Sequence, residues 1–114
     1  MKDIYLRFIA LANAIEGKSE ALPAIDATAK QLLNVIAVCH VQGRSMTVTD
    51  AMSLNSIASP ATLHRKLDDL RESALIEQVF EGKNRRTKYL VPTQVADNYF
   101  ARLGLLMKQA LGAD

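Results

Sequence analysis

Ser59-Pro60-Ala61-Thr62-Leu63-His64-Arg65-Lys66-Leu67-Asp68-Asp69-Leu70 is the stretch on which the reading of this chain turns. Ser59 suits a helix N-cap, because its hydroxyl can accept from an unpaired N–H of the first turn. Pro60 then falls at the first helical position, where a missing N–H costs nothing. Leu63, Leu67 and Leu70 recur at helical spacing and form one apolar stripe. Ala61, Arg65, Asp68 and Glu72 fall opposite that stripe, with Thr62, His64 and Lys66 on its flanks. The first half of the helix therefore offers a hydroxyl, an imidazole and two cations, groups that can meet phosphates and base edges in a major groove. The same pattern would also serve an ordinary amphipathic helix, so the neighbouring segments decide.

Upstream, Thr47-Val48-Thr49-Asp50 resembles a capping box with Asp50 in the place of Glu. It opens a short helix to about Leu54 or Asn55, and Asn55-Ser56 makes the turn into the helix at Ser59. Two short helices joined by a tight turn are a helix-turn-helix. Ser45 to Val48 could add a very short strand. Downstream, residues 74–81 are rich in β-branched and aromatic groups and read as a strand. Gly82-Lys83-Asn84-Arg85-Arg86 reads as a turn, and residues 87–91 as a second strand. The tip of the resulting hairpin carries Lys83, Arg85, Arg86 and Lys88 with no acid among them.

The flanks are helical. From Asp3 to Glu16, Ile4, Phe8, Leu11 and Ile15 share a face, while Tyr5, Leu6 and Ile9 add apolar surface elsewhere. Gly17-Lys18-Ser19 is expected to end that helix, with Pro23 in the connection. Asp26 can cap a second helix reaching Val41, with Leu32, Leu33, Val35 and Ile36 as its core surface and Gly43 as its stop. Thr93 can cap a last helix to about Leu111, on which Tyr99, Leu103, Leu106 and Ala110 share a face. Phe100, Leu105, Met107 and Leu111 lie off it. The fold class is thus mainly α with a small β-hairpin: a winged helix-turn-helix with a helical element added at each end. Residues 1–114 are expected to form a single domain. Within it, 1–43 and 93–114 are helical dimerisation elements, and 45–92 is the DNA-binding lobe.

At this point the chain resembles the multiple-antibiotic-resistance regulator (MarR) family of bacterial transcription factors. Thr47 to Asp50 looks like the family's opening of the first motif helix, and Ser59-Pro60-Ala61-Thr62-Leu63 like the Ser-Pro-Ser-Thr start of its recognition helix. Asp68 and Leu70 match the Asp-x-Leu near that helix's end. Ala74-Leu75-Ile76 is similar to the Gly-Leu-Ile/Val lead-in to the wing, Asn84-Arg85-Arg86 to the wing's Asp-x-Arg, and Thr93 to the threonine before the next helix. The chain departs from the pattern in four places. Asn84 replaces the aspartate that braces a wing arginine, and Ala74 stands where glycine is common. The turn at residues 55–58 is one residue longer and lacks its glycine. One helix follows the wing in place of two. The resemblance implies a homodimer that regulates transcription on double-stranded DNA. It leaves open a small-molecule effector, which nothing in these residues specifies.

Composition narrows the alternatives. The 114 residues carry a formal charge of only +2, so any nucleic-acid contact must come from a local patch. The sequence contains no Gly-rich phosphate loop, nucleophile elbow or cluster of metal ligands, so neither an enzyme nor a cofactor or metal site is expected. Cys39 is the single cysteine. It cannot form an intrachain disulfide, fits a cytoplasmic protein, and reads as a small packing residue before a redox sensor. Ala12-Asn13-Ala14 mimics a signal-peptide cleavage site, but Asp3 and Arg7 interrupt the apolar run such a signal needs. No segment reads as membrane-spanning.

The expected DNA-contacting set is Ser59, Ala61, Thr62, His64, Arg65 and Lys66 on the recognition helix (60–73), and Lys83, Arg85, Arg86 and Lys88 on the wing (82–88). Asp68, Asp69 and Glu72 are expected to lie outside the groove. Asn84, unlike aspartate, would leave the wing tip mobile. Charge at Leu106 is expected to break the dimer. Other readings are a replication or partition factor of a mobile element, and a winged-helix interaction module that binds no DNA.

Overall fold

The computed structural model describes residues 1–16, 25–83 and 85–112, and the side chains of Ile15 and Glu16 are not among those described. The expected helix stop at Gly17-Lys18-Ser19, Pro23 and the wing position Asn84 lie outside the described residues. In chain order the elements are α1 (Lys2–Glu16), α2 (Ala27–Val41), α3 (Val48–Met52), α4 (Pro60–Glu72), β1 (Ile76–Phe80), β2 (Lys88–Pro92) and α5 (Gln94–Gly112). They group into two compact units. One is Ile25–Gln94, and the other combines Met1–Ala24 with Val95–Asp114. α2 falls in the first of these units, where its apolar face is covered by α4 and β2.

Local chemistry explains most of the element ends. Asp26 caps α2 and accepts from the Ala29 amide at 2.8 Å. Thr47 and Asp50 form a reciprocal capping box, with Asp50 N–H donating to Thr47 Oγ1 at 3.1 Å and Thr47 N–H to Asp50 Oδ2 at 3.0 Å. That box also limits the short strand expected at residues 45–48. With Thr47 committed to opening α3, only one bridge forms, from the Leu90 amide to the Met46 carbonyl at 2.7 Å. α3 ends earlier than expected, with Ser53 as its C-cap.

Two helices end in the same way. After α2, Gly43 N–H donates to the His40 carbonyl and Arg44 N–H to the Cys39 carbonyl, with Gly43 at φ +77°. After α4, Ala74 N–H donates to the Arg71 carbonyl and Leu75 N–H to the Leu70 carbonyl, with Ala74 at φ +57°. Both are Schellman caps, which place the residue after the C-cap in the left-handed region. The second does so with an alanine, whose Cβ is strained there. Because Ala74 and Leu75 complete the cap, β1 begins at Ile76, later than residue 74. Thr93 then ties the far end of the hairpin back to this turn: its N–H donates to the Leu75 carbonyl at 3.0 Å and its hydroxyl to the Ala74 carbonyl at 2.6 Å.

The core of the central unit is continuous with this scaffold. Leu32, Leu33 and Ile36 of α2, Leu63, Leu67 and Leu70 of α4, Leu75, and Leu90 of β2 are all fully buried. Met46, Ala51, Ile76 and Val91 complete it. Burial of a leucine side chain contributes about 1.5–3 kcal/mol, so the three leucines of α4 are a large part of what holds that helix in place. The antiparallel hairpin pairs Ile76 with Pro92 through to Phe80 with Lys88. An ion pair adds orientation: Lys66 Nζ on α4 lies 2.6 Å from Asp26 Oδ2 at the start of α2.

In the other unit, α1 leaves Ile4, Phe8 and Leu11 half-buried and Ala12 buried, while Tyr5 and Leu6 are exposed. α5 buries Ala96, Tyr99, Leu106 and Ala110, half-buries Leu103, and leaves Leu105, Met107 and Leu111 exposed. Leu106 is thus part of the chain's own core, so a charge there would damage the unit itself and is no clean probe of a dimer.

Two expected outcomes follow from these contacts. Ala74→Gly should raise stability by about 0.5–1 kcal/mol, since relief of left-handed strain exceeds the entropy glycine loses on folding. Urea unfolding checks this, and an unchanged or lower midpoint would contradict the strain. The second outcome concerns acid. Lys66, the largest influence, and the Ala29 amide hold the Asp26 carboxyl below its ordinary 3.8. A carboxyl depressed on folding stabilises the protein above its unfolded pKa, and that contribution is lost as pH falls through the folded value. Asp26→Asn keeps a capping oxygen but removes the charge. Wild type and Asp26→Asn should therefore differ in thermal stability at neutral pH and converge in acid, below the ordinary carboxyl range. A gap of equal size at both pH values would rule the ion pair out as its source.

Candidate nucleic-acid interface

The outward face of α4 is fixed by the inward one. With Leu63, Leu67 and Leu70 in the core, Ala61, His64, Arg65 and Asp68 are exposed. Ser59 is the N-cap, with extended backbone angles, and accepts from the Thr62 amide at 3.4 Å. Its hydroxyl donates to Thr62 Oγ1 at 3.1 Å, and Arg65 Nη2 donates to the same oxygen at 3.3 Å. Ser59, Thr62 and Arg65 thus form a short polar ladder up the first two turns, spaced three residues apart so that they neighbour one another on the helix surface. The arginine remains exposed, and its contact to a neutral hydroxyl leaves its charge uncancelled.

The acids of α4 are largely occupied. Asp68 Oδ1 lies 2.9 Å from Arg71 Nη2, and Arg71 Nη1 also donates to Gln78 Oε1 of β1 at 3.2 Å. Asp69 lies 3.9 Å from Lys66. Lys66, half-buried with its ammonium on Asp26, stands apart from the other expected contacts: it is engaged within the fold. Asp26, Arg71 and Gln78 were not signalled by the sequence motif, because their partners are set by how α2, α4 and β1 pack.

The wing presents a second cationic group. Lys83, Arg85, Arg86 and Lys88 are all exposed. The Arg85 guanidinium carbon and the Lys88 ammonium each lie 5.7 Å from the centroid of the Phe80 ring. Phe80 was expected only as a strand residue. A groove of about 520 Å³ separates the wing from the start of α3, with Thr47, Thr49, Gln78, Phe80, Arg85 and Lys88 among its walls. Its chemistry is hydroxyl, amide, aromatic ring and cation, a combination suited to an anionic polymer backbone.

Among the described residues, no group of three or more His, Cys, Asp or Glu side chains could hold a metal ion. No described helix is long and apolar enough to cross a membrane.

No family model matches the chain, and neither does any curated protein. Solved structures do. A MarR-like transcriptional regulator from Thermotoga maritima superposes with a TM-score of 0.63 over 93% of this chain and 76% of its own, at 15% identity. RV1404 from Mycobacterium tuberculosis gives 0.62 over 92% of this chain and 68% of its own, at 12% identity. ZitR from Lactococcus lactis gives 0.57 over 84% and 62%, at 19% identity. Identities this low speak to architecture alone. The chain has the winged helix-turn-helix fold of the MarR-like regulators, with a helical element added at each end.

Proposed function

We propose that this protein is a non-enzymatic, sequence-specific regulator of transcription that binds double-stranded DNA as a homodimer. The observation that carries the reading is the exposed Ser59–Thr62–Arg65 ladder at the start of a helix whose opposite face is wholly buried. A helix held rigidly by its leucines can present that ladder to base edges in a major groove. Arg65 is assigned to a base edge, most simply a guanine; Thr62, Ala61 and His64 flank it, and Ser59 meets phosphate. Arg85, Arg86, Lys83 and Lys88 supply sequence-independent contacts to the backbone or the minor groove. Lys66 is left out of base reading, because leaving Asp26 would cost it an existing ion pair. Asp68 and Asp69 would repel phosphate less than free carboxylates do, since cations of the same helix lie against them.

The homodimer is supported by apolar surface that the single chain leaves uncovered. Tyr5, Leu6, Leu105, Met107 and Leu111 are each more than half exposed. Tyr5, Met107 and Leu111 also line an apolar cleft of about 440 Å³ with Met1, Ile4 and Phe8. Patches of this kind are uncommon on monomers. A two-fold pair joined through α1 and α5 would set two recognition helices on successive major grooves of a palindromic site. The solved relative described as a MarR-like transcriptional regulator supports the regulatory role by fold.

Arg65→Ala should weaken binding to the best site, selected from a random duplex pool, by about 1–3 kcal/mol and relax its sequence preference. Equal losses on selected and random duplex would remove Arg65 from base reading. Binding that does not weaken with added salt would favour a protein partner over DNA. Sedimentation equilibrium at micromolar concentration should show a dimer. Leu105→Glu, at an exposed position, should shift it to monomer without unfolding it and should weaken selected-site binding. A monomeric wild type would end the dimer reading.

A further inference from the structure

We propose that Phe80 is a positioning residue for the wing, an aromatic brace that holds Arg85 and Lys88 ready for phosphate; the purpose of the brace rests on the DNA-binding reading above. Phe80 and Lys88 form the last paired positions of the hairpin, directly opposite each other, so their side chains rise from the same face. The ring is 39% exposed, at a place where solvent would ordinarily favour a polar residue. Both cations lie within the range at which a ring face attracts positive charge. Among the described residues, neither Arg85 nor Lys88 has a carboxylate at ion-pair distance.

The difference between a ring and a carboxylate as brace is one of charge. A carboxylate beside an arginine fixes it but cancels its charge and adds an anion where phosphates must approach. An aromatic ring restrains the same groups through its quadrupole and cancels nothing. Restraint has value because ordering a long, flexible side chain on binding costs conformational entropy. The Phe80 ring stands at the same distance from both cations and can restrain the two together. Phe80, Arg85 and Lys88 also share the wall of one groove, so the braced cations face a common space.

The test has two arms. In NMR spectra of the free protein, the side-chain methylene protons of Arg85 and Lys88 should be shifted upfield by the ring. Phe80→Leu should return them to ordinary positions, and Phe80→Trp should keep them shifted. In fluorescence anisotropy with a random-sequence duplex, Phe80→Leu should weaken binding about three- to tenfold, as expected when two long side chains must be ordered on binding, and Phe80→Trp should restore it. The slope of affinity against salt should stay unchanged in Phe80→Leu, since every cation remains. In an Arg85→Ala, Lys88→Ala background, Phe80→Leu should have no further effect. Unshifted methylene protons in the wild type would overturn the brace. So would a Phe80→Leu loss that persists in the double-alanine background. Should Phe80→Leu fail to fold, the wild-type shifts and Phe80→Trp still decide. A wild type that binds no duplex would overturn the DNA reading, while the NMR arm independently judges the brace.

Discussion

Burial of Leu63, Leu67 and Leu70 is the constraint on which the rest of the central unit depends. A helix has one rotational freedom about its axis, and three leucines on one stripe remove it. Once they are packed with Leu32, Leu33 and Ile36 of α2, every other residue of α4 has its direction assigned. Ala61, His64 and Arg65 must face water, and Thr62 and Lys66 must lie at the margins. The chemistry of the exposed face follows from the packing of the hidden one. The Schellman cap at Ala74 extends the same constraint into the hairpin, because it fixes where α4 stops and in which direction β1 departs. Thr93 closes the loop by bonding back to Ala74 and Leu75. The strain at Ala74 is tolerated because both of its neighbours in the cap, Leu70 and Leu75, are fully buried.

A formal charge of +2 conceals how the charges are distributed. Three carboxylates of the central unit lie against cations: Asp26 and Asp69 against Lys66, and Asp68 against Arg71. Such exposed pairs contribute little stability individually. Their larger consequence is electrostatic, since each paired acid contributes less net negative field at distance. What remains outward on the start of α4 and on the wing is cationic or neutral. A protein of nearly balanced composition can therefore show a positive face without being a basic protein, and any attraction to a polyanion would be confined to that face.

Features set by residues within a turn of one another were legible in the sequence. The caps at Asp26, Thr47 and Ser59, the leucine stripe of α4 and the stop at Gly43 each depend on side chains and backbone groups a few positions apart. The order of elements followed from them. Ala74 was visible as a departure from glycine, and its φ of +57° supplies the reason glycine would suit the position. Contacts between elements were not legible. Periodicity placed Lys66 on a flank of α4, but only the packing of α2 on α4 brings Asp26 to it. Composition marked Phe80 as a strand residue, but its meeting with Arg85 and Lys88 requires the hairpin register. The strand at residues 45–48 was overestimated because a capping box and a strand compete for the same backbone. Leu106 was misjudged for a related reason: a helical period identifies a stripe, not what covers it.

The terminal helices illustrate the last point most sharply. Their sequences are apolar over more than one face, and the fold uses only part of that surface. α5 buries Tyr99, Leu106 and Ala110 but leaves Leu105, Met107 and Leu111 in water. A chain of this size has too little interior to bury every apolar group it carries. Natural selection against aggregation would ordinarily replace the excess with charge, as the exposed face of α4 has done. That the excess persists on α1 and α5, and not on α4, fits the proposed reading, in which the α4 surface would face water and phosphate and the other would face carbon. In the proposed dimer a second copy would supply that carbon, because both copies carry the same uncovered residues and a two-fold axis would let each cover the other's.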